Sequence, residues 1–319
     1  MDIGDLVVRK SYGKDITFKI IDIKEAKDGK KICILKGVNL RIEADAREDD
    51  LEKVIGNNLS KADIIFNEKI NASIRKVIAE REEENKAIMV SMSKKKLQKL
   101  RKKRKEKEKS KQREVEKIKE EQGNIVSKNL TFGRPGRILH VDGDAEYLEV
   151  CLKTYKQLSL QAVGRAIAEK DQPDKILEIV NEVKPDIVVI TGHDGMIRHT
   201  TDYMDMDNYR NTKYFVETVR KLREYQSSYD ELVIFAGACQ SCYEAILDAG
   251  ANFASSPNRV LIHCLDPVLV CEKIAYTNIE KIVPIKDVIE NTITGIKGIG
   301  GLQTRGKYRE GFPKSSFIK

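Results

Sequence analysis

Short apolar runs alternate with amphipathic stretches from about residue 131 onward, and this order is typical of α/β proteins. The apolar runs, predicted as strands, are Ile138–Asp142, Gln161–Ala168, Asp186–Ile190, Glu231–Phe235 and Arg259–Ile262. The stretches between them, predicted as helices, are Ala145–Gln157, Asp174–Val183, Phe215–Gln226 and Ser241–Asp248. Because several of the strands are almost wholly apolar, they should be buried on both faces of a doubly wound, mainly parallel sheet. Residues 131–319 are therefore predicted to form one α/β domain.

The beginning of the chain has a different pattern, in which apolar and polar residues alternate one by one. The alternation runs through Leu6–Val8, Ile16–Ile23 and Ile32–Leu35, with Asp28-Gly29 as a hairpin turn signal. Residues 1–46 resemble small SH3-like β-barrels of the Tudor and KOW kind. Such a barrel would dock a protein or nucleic-acid partner, or would serve only as an N-terminal folding unit.

Residues 47–130 are predicted to be a helical, strongly basic linker, because residues 47–122 lack proline and consist mostly of good helix formers. Five isoleucines of its first half are expected to lie largely on one packed face: Ile64, Ile65, Ile70, Ile74 and Ile78. Residues 94–119 carry a net charge of +11, which leaves −3 for the rest of a chain whose total is +8. This basic segment could bind phosphates, expose cleavable bonds, or act as a solvated connector.

The composition of the chain limits where the protein can be made and whether it binds a membrane. The chain has no positively charged start followed by an apolar stretch, and no apolar run near the ~18 residues of a membrane span. Neither secretion nor a membrane partner is therefore expected. Its six cysteines are expected to be reduced thiols, which indicates synthesis in the cytoplasm. The final location stays open at this point.

Candidate chemistry lies where two of the predicted strands end. The strand ending at Ile190 leads into Thr191-Gly192-His193-Asp194-Gly195, and the strand ending at Phe235 leads into Ala236-Gly237-Ala238-Cys239-Gln240-Ser241. Neighbouring parallel strands would bring both loops to one edge of the sheet. An imidazole and a thiol at that edge are the parts of a Cys/His dyad for acyl transfer.

The surroundings of these residues favour the same chemistry. Cys239 precedes a predicted helix, whose positive end would favour the thiolate. The backbone amides of Gly195, Asp194 and Cys239 are candidates for stabilising an oxyanion. The Asp194 side chain is expected to be an exposed loop carboxylate.

Two other functions compete for these features. Cys239 and Cys242 form a C-x-x-C motif, which is typical of redox exchange or of half a metal site, although no second motif completes one. A small barrel followed by a basic helix could also make a nucleic-acid-binding protein, whose binding would weaken steeply with salt and would survive Cys239→Ala.

The two strand-end motifs resemble those of clan CD cysteine peptidases, which include caspases, clostripain and legumain. More narrowly, they and the N-terminal Ile3-Gly4-Asp5-Leu6-Val7-Val8-Arg9-Lys10-Ser11-Tyr12 are similar to the YabG family of sporulation-specific proteases, across the whole chain. The resemblance implies a caspase-like fold, catalysis by Cys239 and His193, and spore coat and germination proteins as substrates. It also implies synthesis in the mother cell and association with the spore coat. Asp194 stands where caspase-like enzymes have glycine after the histidine, so the oxyanion donor is left open.

The resemblance further implies cleavage after arginine, ahead of lysine. Asp142 and Asp144, at the end of the first predicted strand of the α/β domain, and Asp266, just after the last, are candidates for an acidic substrate pocket. Helix capping or loop solvation is the alternative. The exposed basic linker is then a predicted site of self-cleavage. The predicted mechanism needs no metal and no organic cofactor.

Overall fold

The computed structural model describes residues 1–25, 29–54, 60, 63–83, 132–197, 200–313 and 315. The basic segment 94–119, and the predictions made for it, lie outside these residues. The chain divides into two compact units. The larger unit comprises Met1–Asn71 and Pro135–Tyr308, and the smaller comprises Ala72–Arg134 and Arg309–Lys319.

The first part of the larger unit is a five-stranded antiparallel sheet. Its strands are β1 Leu6–Arg9, β2 Thr17–Glu25, β3 Lys31–Gly37, β4 Glu43–Arg47 and β5 Leu51–Lys53, in the order β4-β3-β2-β1-β5. Alternate residues such as Phe18 and Ile20 are buried in a small apolar core, as the sequence alternation predicted. The sheet continues to Lys53, seven residues beyond the predicted boundary at residue 46. That it is an SH3-like barrel stays a prediction.

The second part of the larger unit contains a six-stranded, mainly parallel sheet, which confirms the predicted α/β class. Its strands are β7 Ile138–Asp142, β8 Ala162–Ala166, β9 Ile187–Thr191, β10 Val233–Ala236, β11 Phe253–Ser255 and β12 Ile299–Gly301. Their order is β12-β11-β10-β9-β7-β8, and only the β11–β12 pair is antiparallel. The helices are α2 Ala145–Gln157, α3 Gln172–Val183, α4 Thr212–Tyr225, α5 Tyr243–Asp248, α6 Asp266–Tyr276 and α7 Ile285–Glu290.

The predicted strand Arg259–Ile262 is wrong, because the strand beside β10 is Phe253–Ser255. Arg259 has a left-handed φ of +52°, which interrupts an extended run of backbone. The buried apolar character of Ile262 is real, but the residue belongs to an irregular segment that packs beneath the end of β10. A short apolar run does not distinguish these two structures.

The linker prediction fails in its first residues and in its packing. Residues 48–53 form a 3-10 turn and strand β5, and the described helix, α1, spans residues 63–83. Ile64, Ile65 and Ile78 are exposed on it. The start of α1 is anchored instead by the buried carboxylate of Asp63, which accepts hydrogen bonds from the Thr17 amide and the Asn39 side chain. A polar anchor of this kind does not affect the spacing of apolar residues, so that spacing could not predict it.

In the smaller unit, β6 Phe132–Arg134 pairs antiparallel with β13 Arg309–Gly311. Among the described residues, no helix is both long and apolar enough to cross a membrane.

Candidate active site

The two loops predicted to carry the chemistry leave the ends of neighbouring strands. β9 and β10 are parallel, with Ala236 opposite Ile190, and the Gly237 amide then donates to the Ile190 carbonyl at 3.0 Å. His193 lies two residues beyond β9, and Cys239 lies three residues beyond β10. The predicted adjacency of the two strands is confirmed, and both loops begin at the same edge of the sheet.

The His193 loop is held by polar groups on three sides. The imidazole Nε2 lies 2.8 Å from Oδ2 of Asp144, and the ring is 23% exposed. The His193 amide donates to Glu169 at 2.6 Å, and its carbonyl accepts from the Asn211 side chain at 2.8 Å. Gly192 permits the contact between the His193 amide and Glu169, because a Cβ at position 192 would collide with the Glu169 carboxylate. The imidazole is therefore fixed in direction while it remains partly open to solvent.

Asp144 is the N-cap of α2 and the partner of the imidazole at once. Its carboxylate accepts the Glu146 and Tyr147 amides at 2.9 and 3.2 Å, and lies 2.6 Å from the Lys36 ammonium. Burial alone would raise its pKa, but the hydrogen bond with His193 and the Lys36 charge hold the pKa well below its usual range. An ionised carboxylate can only accept, so this hydrogen bond is made with Nε2 protonated.

Cys239 has the opposite environment. The residue is 1% exposed, and its Sγ accepts a hydrogen bond from the Ile262 amide at 3.2 Å. Burial raises the pKa of the thiol to about 11, although that amide partly offsets the effect. The predicted activation by a helix end is therefore wrong for this structure, since α5 begins only at Tyr243 and has six residues. Here the thiol is protonated and covered.

The backbone around Cys239 is nevertheless strongly constrained. Gly237 has a φ of +108°, and a Cβ there would lie 2.5 Å from Ser255 Oγ. Gln240 has a left-handed φ of +56°. Such conformations on both sides of one residue are typical of functional loops, because the surrounding structure must hold them in place.

Asp194 joins the two loops. Its carboxylate accepts from Thr212 Oγ1 at 2.5 Å, from Ser241 Oγ at 2.8 Å and from the Asn211 amide at 2.9 Å. Burial raises its pKa, and these hydrogen bonds oppose the rise. The expectation of an exposed loop carboxylate is therefore wrong. The Gly195 amide also donates to Asp194, at 2.8 Å, so it is occupied here and not free for an oxyanion.

The other two candidate aspartates are enclosed by protein. Asp142 is fully buried and forms a two-pronged ion pair with Arg41, at 3.0 and 2.6 Å. Asp266 is also fully buried, and accepts the amides of Ile293 at 2.7 Å and His263 at 3.1 Å. Asp266 thus stabilises loops. That any of the three lines a substrate pocket stays a prediction.

Within the described residues, one cluster has the spacing of a metal site. Oxygens of Glu43 and Asp144 and a nitrogen of His193 lie within 4.8 Å of one another. The Lys36 ammonium already neutralises Asp144 there. The two C-x-x-C thiols are not part of this cluster. Both cysteines are free, and the Cys242 Sγ lies 3.7 Å from the Tyr203 carbonyl.

The sequence-based predictions did not include several residues of this site. Glu169 and Asn211 hold the histidine loop, and Lys36 and Arg41 reach it from the N-terminal sheet. For Glu169 and Asn211 one signal existed, because polar residues at helix starts often cap neighbouring backbone. The contacts of Lys36 and Arg41 span more than 100 positions and have no local pattern.

A mainly parallel α/β sheet with a histidine loop and a cysteine loop on adjacent strand ends is compatible with an α/β peptidase. The family described as YabG peptidase U57 matches residues 2–313. The chain is also 37% identical over 319 residues to the sporulation-specific protease YabG of Bacillus subtilis (strain 168), with 98% of each chain covered. The chain belongs to the YabG peptidase family, and is thus a member of a family of sporulation proteases.

Proposed function

We propose that the protein is a cysteine endopeptidase in which Cys239 is the nucleophile and His193 the general acid and base. The observation that supports it most is the placement of both loops at the ends of the paired strands β9 and β10, tied together by Asp194. The carboxylate of Asp144, bound to the far nitrogen of the imidazole, completes the arrangement.

The reaction follows from these contacts. The Cys239 sulfur attacks the scissile carbonyl carbon while its proton passes to Nδ1 of His193. The imidazolium then gives that proton to the leaving amine, and the C–N bond breaks to leave a thioester. Water, deprotonated by His193, attacks the thioester and releases the new carboxyl end and the free thiol. Asp144 stabilises the imidazolium and keeps Nε2 protonated throughout.

The oxyanion of each tetrahedral intermediate needs amide donors. The amides of Cys239 and Asp194 are our candidates, and the Gly195 amide could join them only by leaving the Asp194 carboxylate.

The substrates are proteins cut after arginine, or less readily after lysine. Asp142 supports this preference, because it already binds a guanidinium in the two-pronged geometry that an arginine substrate would use. The similarity to a sporulation-specific protease supports spore coat and germination proteins as substrates, with activity in the mother cell and at the spore coat. The 15 Lys and Arg residues of segment 94–119 make this segment a site of self-cleavage.

One comparison tests the chemistry. Wild type, Cys239→Ala, His193→Ala and Cys242→Ala are incubated with an arginine-rich unfolded protein, and all new termini, including those of the enzyme, are mapped by mass spectrometry. We expect cuts after arginine with wild type and Cys242→Ala, and none with the other two variants. Equal cutting by Cys239→Ala, or loss only with Cys242→Ala, would contradict the proposal.

A further inference from the structure

The loop between β3 and β4, residues 38–42, pairs with the segment whose Ile262 amide hydrogen-bonds to the thiol. Its residue Arg41 is 1% exposed, which makes it one of the largest fully buried side chains of the described chain. Removing a guanidinium from water is costly unless the protein supplies a matching site. The features of that site indicate what it is built to bind.

The Arg41 guanidinium occupies a preformed anionic pocket. NH1 and NH2 lie 3.0 and 2.6 Å from the two oxygens of Asp142, and the group lies 5.0 Å from the centre of the Tyr147 ring. Asp142 is in turn held by Thr191 Oγ1 at 2.9 Å and lies 3.5 Å from Nε2 of His140. A fixed carboxylate with an aromatic wall is the recognition geometry for arginine and is less suited to lysine.

The fit is nevertheless incomplete. Within the described residues, the buried Arg41 Nε has no hydrogen-bond partner. An unpaired buried donor weakens the hold of the pocket on this occupant, so the site is compatible with exchange.

The backbone of the same loop lies as a bound peptide would. The Asn39 carbonyl accepts from the Cys264 amide at 3.1 Å, and Leu40 pairs antiparallel with His263. The Tyr147 hydroxyl lies 2.8 Å from the Leu40 carbonyl. Peptides commonly bind enzymes and domains in this way, as an added strand whose side chains alternate into pockets.

The backbone of Arg41 also reaches the nucleophile. Burial is the main cause of the raised pKa of Cys239, and the hydrogen bond from the Ile262 amide and the nearby backbone and charge of Arg41 oppose it. One residue therefore has its side chain in the arginine pocket and its backbone at the thiol. In a bound substrate, the residue preceding the scissile bond must do both.

We infer that residues 38–42 are a built-in inhibitor that occupies the substrate cleft, with Arg41 in the place of the substrate arginine and Asp142 as the specificity-determining residue. The inference rests on the proposed function. Its consequence is that the intact chain cleaves other proteins poorly until this loop leaves. While it is attached, the loop competes at high effective concentration, and cleavage of segment 94–119 would remove that advantage.

The reactivity of the Cys239 thiol toward a small reagent tests whether residues 38–42 block it, and this measurement does not rely on catalysis. In a His193→Ala background, iodoacetamide labelling of Cys239 is followed by peptide mass spectrometry for the parent, for Arg41→Gln and for Arg9→Gln. The control, Arg9→Gln, breaks an ion pair with Asp50 elsewhere in the same sheet. We expect labelling to rise about tenfold or more in Arg41→Gln alone, in proportion to the open population. Equal labelling in all three would overturn the inference.

Arg41→Gln leaves Asp142 buried without its partner and could destabilise the fold. The double variant Arg41→Gln/Asp142→Asn avoids this, since both charges are gone, and its fold is checked by circular dichroism. It should expose Cys239 as Arg41→Gln does. Tyr147→Phe, which removes the hydroxyl contacts to the Leu40 and Gly37 carbonyls, should raise labelling by a smaller factor of about two to three.

Hydrolysis separates the two proposals. With His193 restored, a fluorogenic peptide with arginine before the scissile bond should be cut faster by Arg41→Gln than by wild type, and slower by the double variant than by Arg41→Gln. Equal rates for the two variants would overturn the role of Asp142. Increased labelling with no hydrolysis by any variant would overturn the proposed function. Unchanged labelling with normal hydrolysis would leave that function standing and overturn the inhibitor.

Discussion

The two halves of the candidate dyad lie at equivalent places on adjacent strands, yet their surroundings differ. On the imidazole side, His193 is 23% exposed and bound to the ionised Asp144. On the thiol side, Cys239 is 1% exposed, and burial raises its pKa to about 11. Burial suppresses the thiolate despite the opposing charge of Arg41, whereas the Asp144 carboxylate orients the imidazole. The histidine is thus held in place by a charged partner, whereas the thiol is enclosed.

The difference has a structural source. On the imidazole side, His193 is held by Asp144 at the start of α2, which Lys36 of the N-terminal sheet also contacts. On the thiol side, residues 38–42 of that sheet pair with the segment that hydrogen-bonds to Cys239. If residues 38–42 are the proposed inhibitor, the second arrangement is undone when that loop leaves. The following changes act on one side at a time, so that the contribution of each can be measured.

Asp144→Asn should have the largest effect. It removes the negative charge that stabilises the imidazolium and fixes its tautomer, so we expect kcat for the arginine peptide to fall at least about a hundredfold. The matched control is Glu146→Gln, which changes another Lys36 partner, at 3.0 Å, without touching His193. The pH dependence of kcat should also change in Asp144→Asn alone. A loss of similar size in both variants would mean that Asp144 acts only through Lys36.

Ser241→Ala should have a moderate effect, because it weakens the link between the two sides. The Ser241 hydroxyl donates to Asp194 at 2.8 Å and accepts the Ala238 amide at 2.9 Å. We expect kcat to fall about tenfold while KM changes little, since the nucleophile is displaced relative to the imidazole. Ser228→Ala, in which a comparable Ser Oγ accepts the Glu231 amide in an exposed loop, should leave kcat unchanged. No loss in Ser241→Ala would show that the link is not needed for alignment.

The sequence indicated the imidazole side better than the thiol side. Buried strands leave continuous apolar runs, and the spacing of His193 and Cys239 allows one crossover helix, so the strand ends and their adjacency could be predicted. Asp144 was singled out for its place after a strand, but for a pocket and not for the imidazole. Local sequence could not show that Arg41 of a distant sheet pairs with Asp142, because such contacts depend on tertiary packing alone.

The same limit explains the other errors. The apolar run at Arg259–Ile262 satisfies the strand pattern, but one left-handed residue redirects it. The proximity of Cys239 to a helix suggested a low pKa, yet complete burial outweighs a weak dipole several residues away. Local sequence patterns predict helices and strands well, but they predict poorly which individual polar side chains are buried.

The smallest predicted effect concerns acid stability of the thiol side. Burial would raise the pKa of Asp142, but the Arg41 charge holds it well below its unfolded value. The pair therefore stabilises the fold above the unfolded pKa of about 3.9, and this contribution is lost as the pH falls below it. Between pH 5 and 3.5 the loss should be about 0.7 kcal/mol, measured by urea unfolding. Arg41→Gln/Asp142→Asn should lose less over this interval by that amount, and an identical loss in both proteins would show that the covering loop is not held by this ion pair.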